Sequence, residues 1–325
     1  MLFSTTSIST SRQLRRLYST AINGSSKIKP VRSIAGPFTA LNIDTFRDHA
    51  FTPQTPLLVT PADGIRSHAL FPAAQKWFVP SAMEDDNGKD QLELNIPYLS
   101  QYAHTILPYE LVTLKTNTAT QNDSSLTPVL QQFILASGSE GTTFHRFNAP
   151  LSLFLLASQN QSTPKPQLYI AQAQLNDLPP NLREDLPTPN LVLGAGKGDV
   201  YDSNIWLGLP PTYTPLHKDP NPNLFVQLAS TKVVRIFEPR VGSAIFRNVR
   251  RQIGEYGLEG MRGNEMMEGK ERELLYSAVW GDLLGEEGLE GAVGPMDALF
   301  IPKGWWHSIK SVGEGVTASV NWWFR

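Results

Sequence analysis

The chain has 325 residues, 41% of them hydrophobic and 18% charged, which is enough apolar length for one large domain or two ordinary ones with a buried core. It contains no cysteine, so disulfides, thiolate metal sites, iron–sulfur clusters and cysteine nucleophiles are excluded, and any metal must be held by histidine and carboxylate. The formal charge of −2 is unevenly spread: Arg12, Arg15, Arg16, Lys27, Lys29 and Arg32 precede the first acid, Asp44, leaving 22 basic against 30 acidic residues beyond them and no basis for a broad nucleic-acid-binding face.

Residues 1–18 bear arginine, are rich in serine and threonine, lack acid and place Leu2, Phe3, Ile8, Leu14 and Leu17 for the apolar face of a short helix. That is the composition of a mitochondrial presequence, and Arg16-Leu17-Tyr18-Ser19 resembles a matrix processing site that would start the mature protein at Ser19 in the matrix. A basic tail without an address is the other reading of the same residues. Residues 19–35 read as a linker, and 36–325 as one domain. The 25 prolines and 24 glycines favour short strands joined by turns, hence a mainly β, α+β fold. No apolar run reaches the ~18 residues of a membrane-spanning helix.

In chain order, LNIDTFRDHAF reads as a strand and then a helical turn capped near Asp44, and TPLLVTPADG as a short strand closed by a turn. Residues 117–128 and 159–165 read as polar loops. LSLFLLAS (151–158) and PQLYIAQAQL (166–175) read as strands. From Asn204 the pattern predicts a strand, a proline-rich bend and a β-hairpin turning at Ser230-Thr231. Met266, Leu274, Leu275 and Val279 recur at helical spacing, predicting a helix within an insertion at about 247–290. The last 29 residues predict two strands around Gly313 and Gly315.

The chemistry concentrates in this second half. His217 and Asp219 stand at i and i+2, which on a strand puts both side chains on one face, and His307 in IPKGWWHSI can supply a third ligand from a distant strand. Two imidazoles and a carboxylate on one face of an octahedron are the ligand set of non-haem Fe(II) oxygenases; His-x-Asp alone is equally the pattern of a hydrogen-bonded loop histidine. In LASTKVVRIFEP the period-two alternation puts Lys232 with Val234 and Ile236 on one face. Such a lysine either snorkels out at the strand end or binds a carboxylate, such as the distal carboxylate of 2-oxoglutarate, with Thr214 and Tyr169 as hydroxyl donors. His49, His68, His104 and His145 lack a carboxylate at strand or helix spacing and read as surface or satisfied core residues.

The segment TPLHKDPNPNLFVQLASTK (214–232), with DALFIPKGWWHSI and VTASVNWWF, resembles the JmjC/cupin-like family of Fe(II)- and 2-oxoglutarate-dependent oxygenases, and within it the small asparaginyl hydroxylases. The resemblance covers most of residues 166–325 and implies a double-stranded β-helix (jelly-roll) barrel with flanking helices. It also implies Fe(II), 2-oxoglutarate and O2, with His217, Asp219 and His307 on the iron, and Lys232, Thr214 and Tyr169 on the co-substrate. Asn223 and Asn321 would line the co-substrate and O2 side, while Trp305 and Trp306 would pack the barrel. The family's C-terminal dimerisation helices have no match here, and neither has the 247–290 insertion, so substrate and oligomeric state do not transfer. Hydroxylation of a protein side chain is the expected reaction; oxidation of a small molecule or RNA base, and a non-catalytic cupin scaffold, are the alternatives.

Overall fold

The computed structural model describes residues 28–61, 71–84, 90–113, 126–139, 143–160, 166–255, 268–281, 287–313 and 315–325. Segment 1–18, the Ser19 start and His68 lie outside them. Sixteen strands form among the described residues: β1 (Lys29–Pro30), β2 (Ser33–Ala35), β3 (Leu57–Thr60), β4 (Phe78–Glu84), β5 (Asp90–Leu94), β6 (Ile106–Val112), β7 (Phe144–Pro150), β8 (Gln167–Gln174), β9 (Val200–Gly208), β10 (Tyr213–Lys218), β11 (Asn223–Ala229), β12 (Thr231–Phe237), β13 (Gly288–Val293), β14 (Ala298–Ile301), β15 (Trp306–Val312) and β16 (Thr317–Phe324). Four helices there exceed two turns: α1 (Leu126–Ser137), α2 (Leu151–Gln159), α3 (Pro239–Gln252) and α4 (Gly269–Trp280).

The strands make a five-stranded sheet in the order β1-β13-β12-β15-β10, a nine-stranded sheet in the order β2-β3-β14-β11-β16-β9-β8-β6-β7, and the separate pair β4-β5. β9 to β16 divide four to each large sheet, the arrangement of a jelly-roll barrel, with helices on its flanks as expected. Between the sheets lies an apolar cluster of Val31, Leu58, Phe225, Val234, Ile236, Val293, Leu299 and Ile301. Outside the five-stranded sheet, Leu216, Phe237 and Trp306 pack against Phe246 and Val249 of α3 and Leu275 and Val279 of α4. Each such side chain contributes about 1.5–3 kcal/mol on burial, so the two helices fix the sheet from behind. The approach of α3 is close enough to require Gly242, where a Cβ would fall 2.1 Å from the Trp306 side chain.

Several expectations are corrected. The hairpin at Ser230-Thr231 is a corner: β11 belongs to the nine-stranded sheet and β12 to the five-stranded one, with Ser230 at φ 61° between them. A tight turn between apolar runs carries the same signal whether the chain folds back on one sheet or crosses to the facing one. LSLFLLAS is the helix α2, not a strand. It has no β-branched residue, and the apolar Leu156 on its exposed face with Ser152 and Gln159 hides the helical periodicity that would have marked it. LNIDTF contains no strand; Asn42 accepts hydrogen bonds from the backbone N–H of Asp44 and Thr45 and caps a short helix at Ile43. The expected linker holds two short strands, Lys29–Pro30 (β1) beside β13 and Ser33–Ala35 (β2) beside β3. Helical structure after β12 begins at Pro239, before the expected insertion. The chain's last 29 residues hold three strands rather than two.

Candidate active site

The bulge in β10 sets the geometry. Thr214 pairs with Ile309 of β15, but His217 pairs with His307, so one extra residue is accommodated around Pro215, which has no N–H to give to a ladder. Leu216 is thereby turned outward into the helix-covered cluster, and His217 lies directly across from His307, ring centroids 4.2 Å apart. Asp219 follows at the end of the strand, its backbone carbonyl accepting from Gly304 N–H just before β15. Ligand atoms of His217, Asp219 and His307 all lie within 4.8 Å of one another, and all three residues are buried. They form the sole such grouping of metal-ligating side chains among the described residues.

Hydrogen bonds aim these side chains. Nδ1 of His217 lies 2.9 Å from the Pro215 carbonyl and Nδ1 of His307 lies 3.3 Å from the Trp305 carbonyl, each suited to donate its N–H and leave Nε2 free to ligate. Asn223 Nδ2 donates to Asp219 Oδ2 at 3.0 Å, and that oxygen lies 3.6 Å from His307 Nε2. Burial opposes ionisation of Asp219, but the positive charge that His307 and His217 can carry when no metal is bound, with the hydrogen bond from Asn223, outweighs it and holds the carboxyl below its ordinary range. Two neutral nitrogens and one carboxylate facing one point suit a divalent cation of the iron type and leave positions open for other ligands.

Lys232 does not snorkel. It is 2% exposed, and its ammonium donates to Ser319 Oγ at 2.8 Å and Tyr169 Oη at 3.3 Å. Its strand register places Ile236 opposite His307, so by the period of two Lys232 faces the same interior as the histidine. Burial pushes its pKa down to about 7. An ammonium held by two hydroxyls and no carboxylate is a seat for an anion. Gly208 makes room for the tyrosine, since a Cβ there would fall 2.7 Å from the Tyr169 ring.

Other expected residues come to the same interior with different partners. Thr214 is buried on β10 and its carbonyl accepts from Ser308 Oγ at 2.8 Å; among the described residues no hydrogen bond joins it to Lys232. Asn321 Oδ1 accepts from Trp206 Nε1 at 2.6 Å, and the Trp206 ring lies 5.7 Å from that of Tyr169. Trp306 is buried against Phe246 of α3, as a packing residue. His145 is a satisfied core histidine between Thr113 and Ser139, with burial lowering its pKa. Ser319 was not anticipated: a lone serine in VTASVNWWF carries no signal, although the alternation that buries Asn321 also places Ser319 two residues earlier on the same face.

The family model of the cupin-like domain matches residues 58–273 and 285–325. Lysine-specific demethylase JMJ30 of Arabidopsis thaliana is 28% identical over 167 residues, covering 50% of this chain and 35% of that protein. Lysine-specific demethylase 8 of Danio rerio is 28% identical over 156 residues, covering 48% and 36%, and its namesake from Xenopus tropicalis is 23% identical over 287 residues, covering 87% and 51%. The chain thus spans about half, or less, of the length of these relatives. A buried His-Asp-His set beside an anion seat inside a jelly-roll barrel fits the cofactors of that family, and the chain belongs to the cupin-like, JmjC-type family of Fe(II)- and 2-oxoglutarate-dependent oxygenases.

Proposed function

We propose that this chain is a dioxygenase that hydroxylates a C–H bond of a protein side chain, with the site residues in the roles their geometry suits. The observation that carries the reading is the convergence, in one barrel interior, of the His217-Asp219-His307 ligand atoms and a buried Lys232 that has no carboxylate partner among the described residues. His217 and His307 would hold Fe(II) through Nε2, and Asp219, its carboxylate oriented by Asn223, would offset part of the charge. Lys232, with Ser319 and Tyr169, would take the distal carboxylate of 2-oxoglutarate, and Thr214, on the strand that carries His217, would line the same interior. Val234, Ile236, Phe225 and Leu299 belong to the apolar cluster packed in the same barrel interior and keep that side of the site dry. When bound there, Fe(II) with 2-oxoglutarate as co-substrate would supply the O2 activation needed to hydroxylate a C–H bond, with 2-oxoglutarate consumed to succinate and CO2.

The relatives, which are lysine-specific demethylases by name, favour a second reading, in which the C–H bond belongs to an N-methyl-lysine. Oxygen insertion there gives a hemiaminal that releases formaldehyde, so the two readings share every step at the site. The presequence reading of residues 1–18 favours the first, because it puts the substrate among matrix proteins rather than on chromatin. The experiment is mass spectrometry of protein extracts and methyl-lysine peptides incubated with the full-length chain, Fe(II) and 2-oxoglutarate. Hydroxylation predicts gain of one oxygen on a peptide with no formaldehyde. Loss of a methyl group with stoichiometric formaldehyde establishes the demethylase instead.

A further inference from the structure

The outer face of the five-stranded sheet, away from the iron-type site, carries a cavity of about 580 Å³ closed on one side by α4. Its lining includes Thr212, Tyr213, Arg235, Tyr276, Trp280 and Lys310. Lys310 stands on the floor, between Val233 of β12 and Tyr213 of β10 in the register, three residues from His307 but on the opposite face. The Lys310 ammonium lies 4.3 Å from the Trp280 ring centre and the Arg235 guanidinium 4.7 Å from it. Glu290, the carboxylate that lines the cavity, is taken by Arg235 Nε at 2.6 Å, and Arg235 Nη1 is taken by the Val279 carbonyl. Lys310 has no ion pair among the described residues. Half-burial lowers its pKa, Arg235 adds to the lowering and Glu290 opposes it, as expected of a cation facing an unbalanced positive charge. The Tyr276 ring beside it is 43% exposed, apolar surface left open next to that charge.

We infer that this cavity is a second binding site, for a small ligand that combines a planar ring with one phosphate, of the nucleoside monophosphate class. Its volume falls in the range of small-molecule sites, and of its charged side chains Arg235 and Glu290 pair with each other, leaving the Lys310 ammonium to a ligand. Lys310 takes the phosphate, and the ring lies along Tyr276 and the Trp280 edge of the cavity. Neither half of such a ligand is satisfied alone: the amine offers one charge, and the tyrosine one open ring.

Isothermal titration of the full-length chain with adenosine monophosphate tests the site, with inorganic phosphate and adenosine as the separate halves. The expected result is saturable binding of the nucleotide, weaker by about tenfold or more for either half, as for loss of one charge-assisted contact. Lys310→Met, which keeps the side-chain stem packed on Trp280, should lose about tenfold, Tyr276→Ala a smaller amount, and His307→Ala nothing. No binding of the nucleotide, binding unchanged in Lys310→Met, loss in His307→Ala, or phosphate alone binding as tightly as the nucleotide overturns the assignment.

Discussion

Asp185 and Lys232 are both buried charges, and they are treated in opposite ways. Asp185, in the proline-rich segment after β8, is 1% exposed and accepts hydrogen bonds from Lys76 Nζ at 2.6 Å, Trp77 Nε1 at 2.9 Å and Tyr98 Oη at 2.5 Å, while its backbone carbonyl accepts from Ala73 N–H. Both carboxylate oxygens face donors, one of them cationic, and the result is a clasp between the α-helical segment at Ala73–Lys76 and the chain beyond Pro180. Lys232 is as deeply buried but has two hydroxyls and, among the described residues, no opposite charge. A buried charge with its full complement of partners is architecture; one left short of a counter-charge is prepared for a ligand that brings it.

The contrast breaks most visibly if each charge is removed. Asp185→Ala strands the Trp77 and Tyr98 donors in the interior and should lower unfolding stability by about 3–5 kcal/mol in a denaturant titration. If it unfolds with the parent midpoint, the clasp is not structural. Lys232→Met should do the reverse: thermal stability at or above the parent's, since an uncompensated buried amine is replaced by an apolar isostere, while the dissociation constant for 2-oxoglutarate rises on the order of 100-fold, as for a charged hydrogen bond. A destabilised Lys232→Met with unchanged co-substrate affinity would assign the lysine to the scaffold.

The pH dependence sharpens the same point. Below about pH 7 the folded and unfolded chains both hold the Lys232 proton and the folded state carries the full cost of its burial; between about 7 and the ordinary 10.5 the unfolded chain holds more protons, so this group's contribution to stability improves as pH rises. Co-substrate binding runs the other way, because the carboxylate requires the charged amine. Above pH 7 affinity should fall by about tenfold per pH unit, with proton uptake approaching one per molecule bound in calorimetry across buffers of different ionisation enthalpy. Lys232→Met should show neither slope. The smallest effect is expected for Ser319→Ala, which removes one neutral partner and should weaken co-substrate binding by about 2- to 10-fold with little change in stability.

How much of this was legible in the sequence follows from the range of each interaction. Lys232 was readable because strand alternation is local: Val234 and Ile236 already place it inward. His217 and Asp219 were readable by spacing, but not that His217 faces His307 directly across a ladder, which depends on one residue of bulge near Pro215. Ser319 was hidden because its partner lies 87 residues away, and Asp185 because its three donors come from 87 to 109 residues upstream. Leu151–Gln159 and the corner at Ser230 failed for a different reason. There the local pattern fits two structures equally, and only packing against the rest of the barrel selects one.

The most direct measurement is anaerobic titration of the full-length chain with Fe(II) and then 2-oxoglutarate, followed by visible absorption for the weak charge-transfer band of the bidentate chelate. The band should saturate at one iron and one 2-oxoglutarate per chain, vanish in His307→Ala, and require far more 2-oxoglutarate in Lys232→Met. A correctly folded parent protein that gives no band, or an undiminished band in His307→Ala, would contradict the assignment of this interior as an oxygenase site.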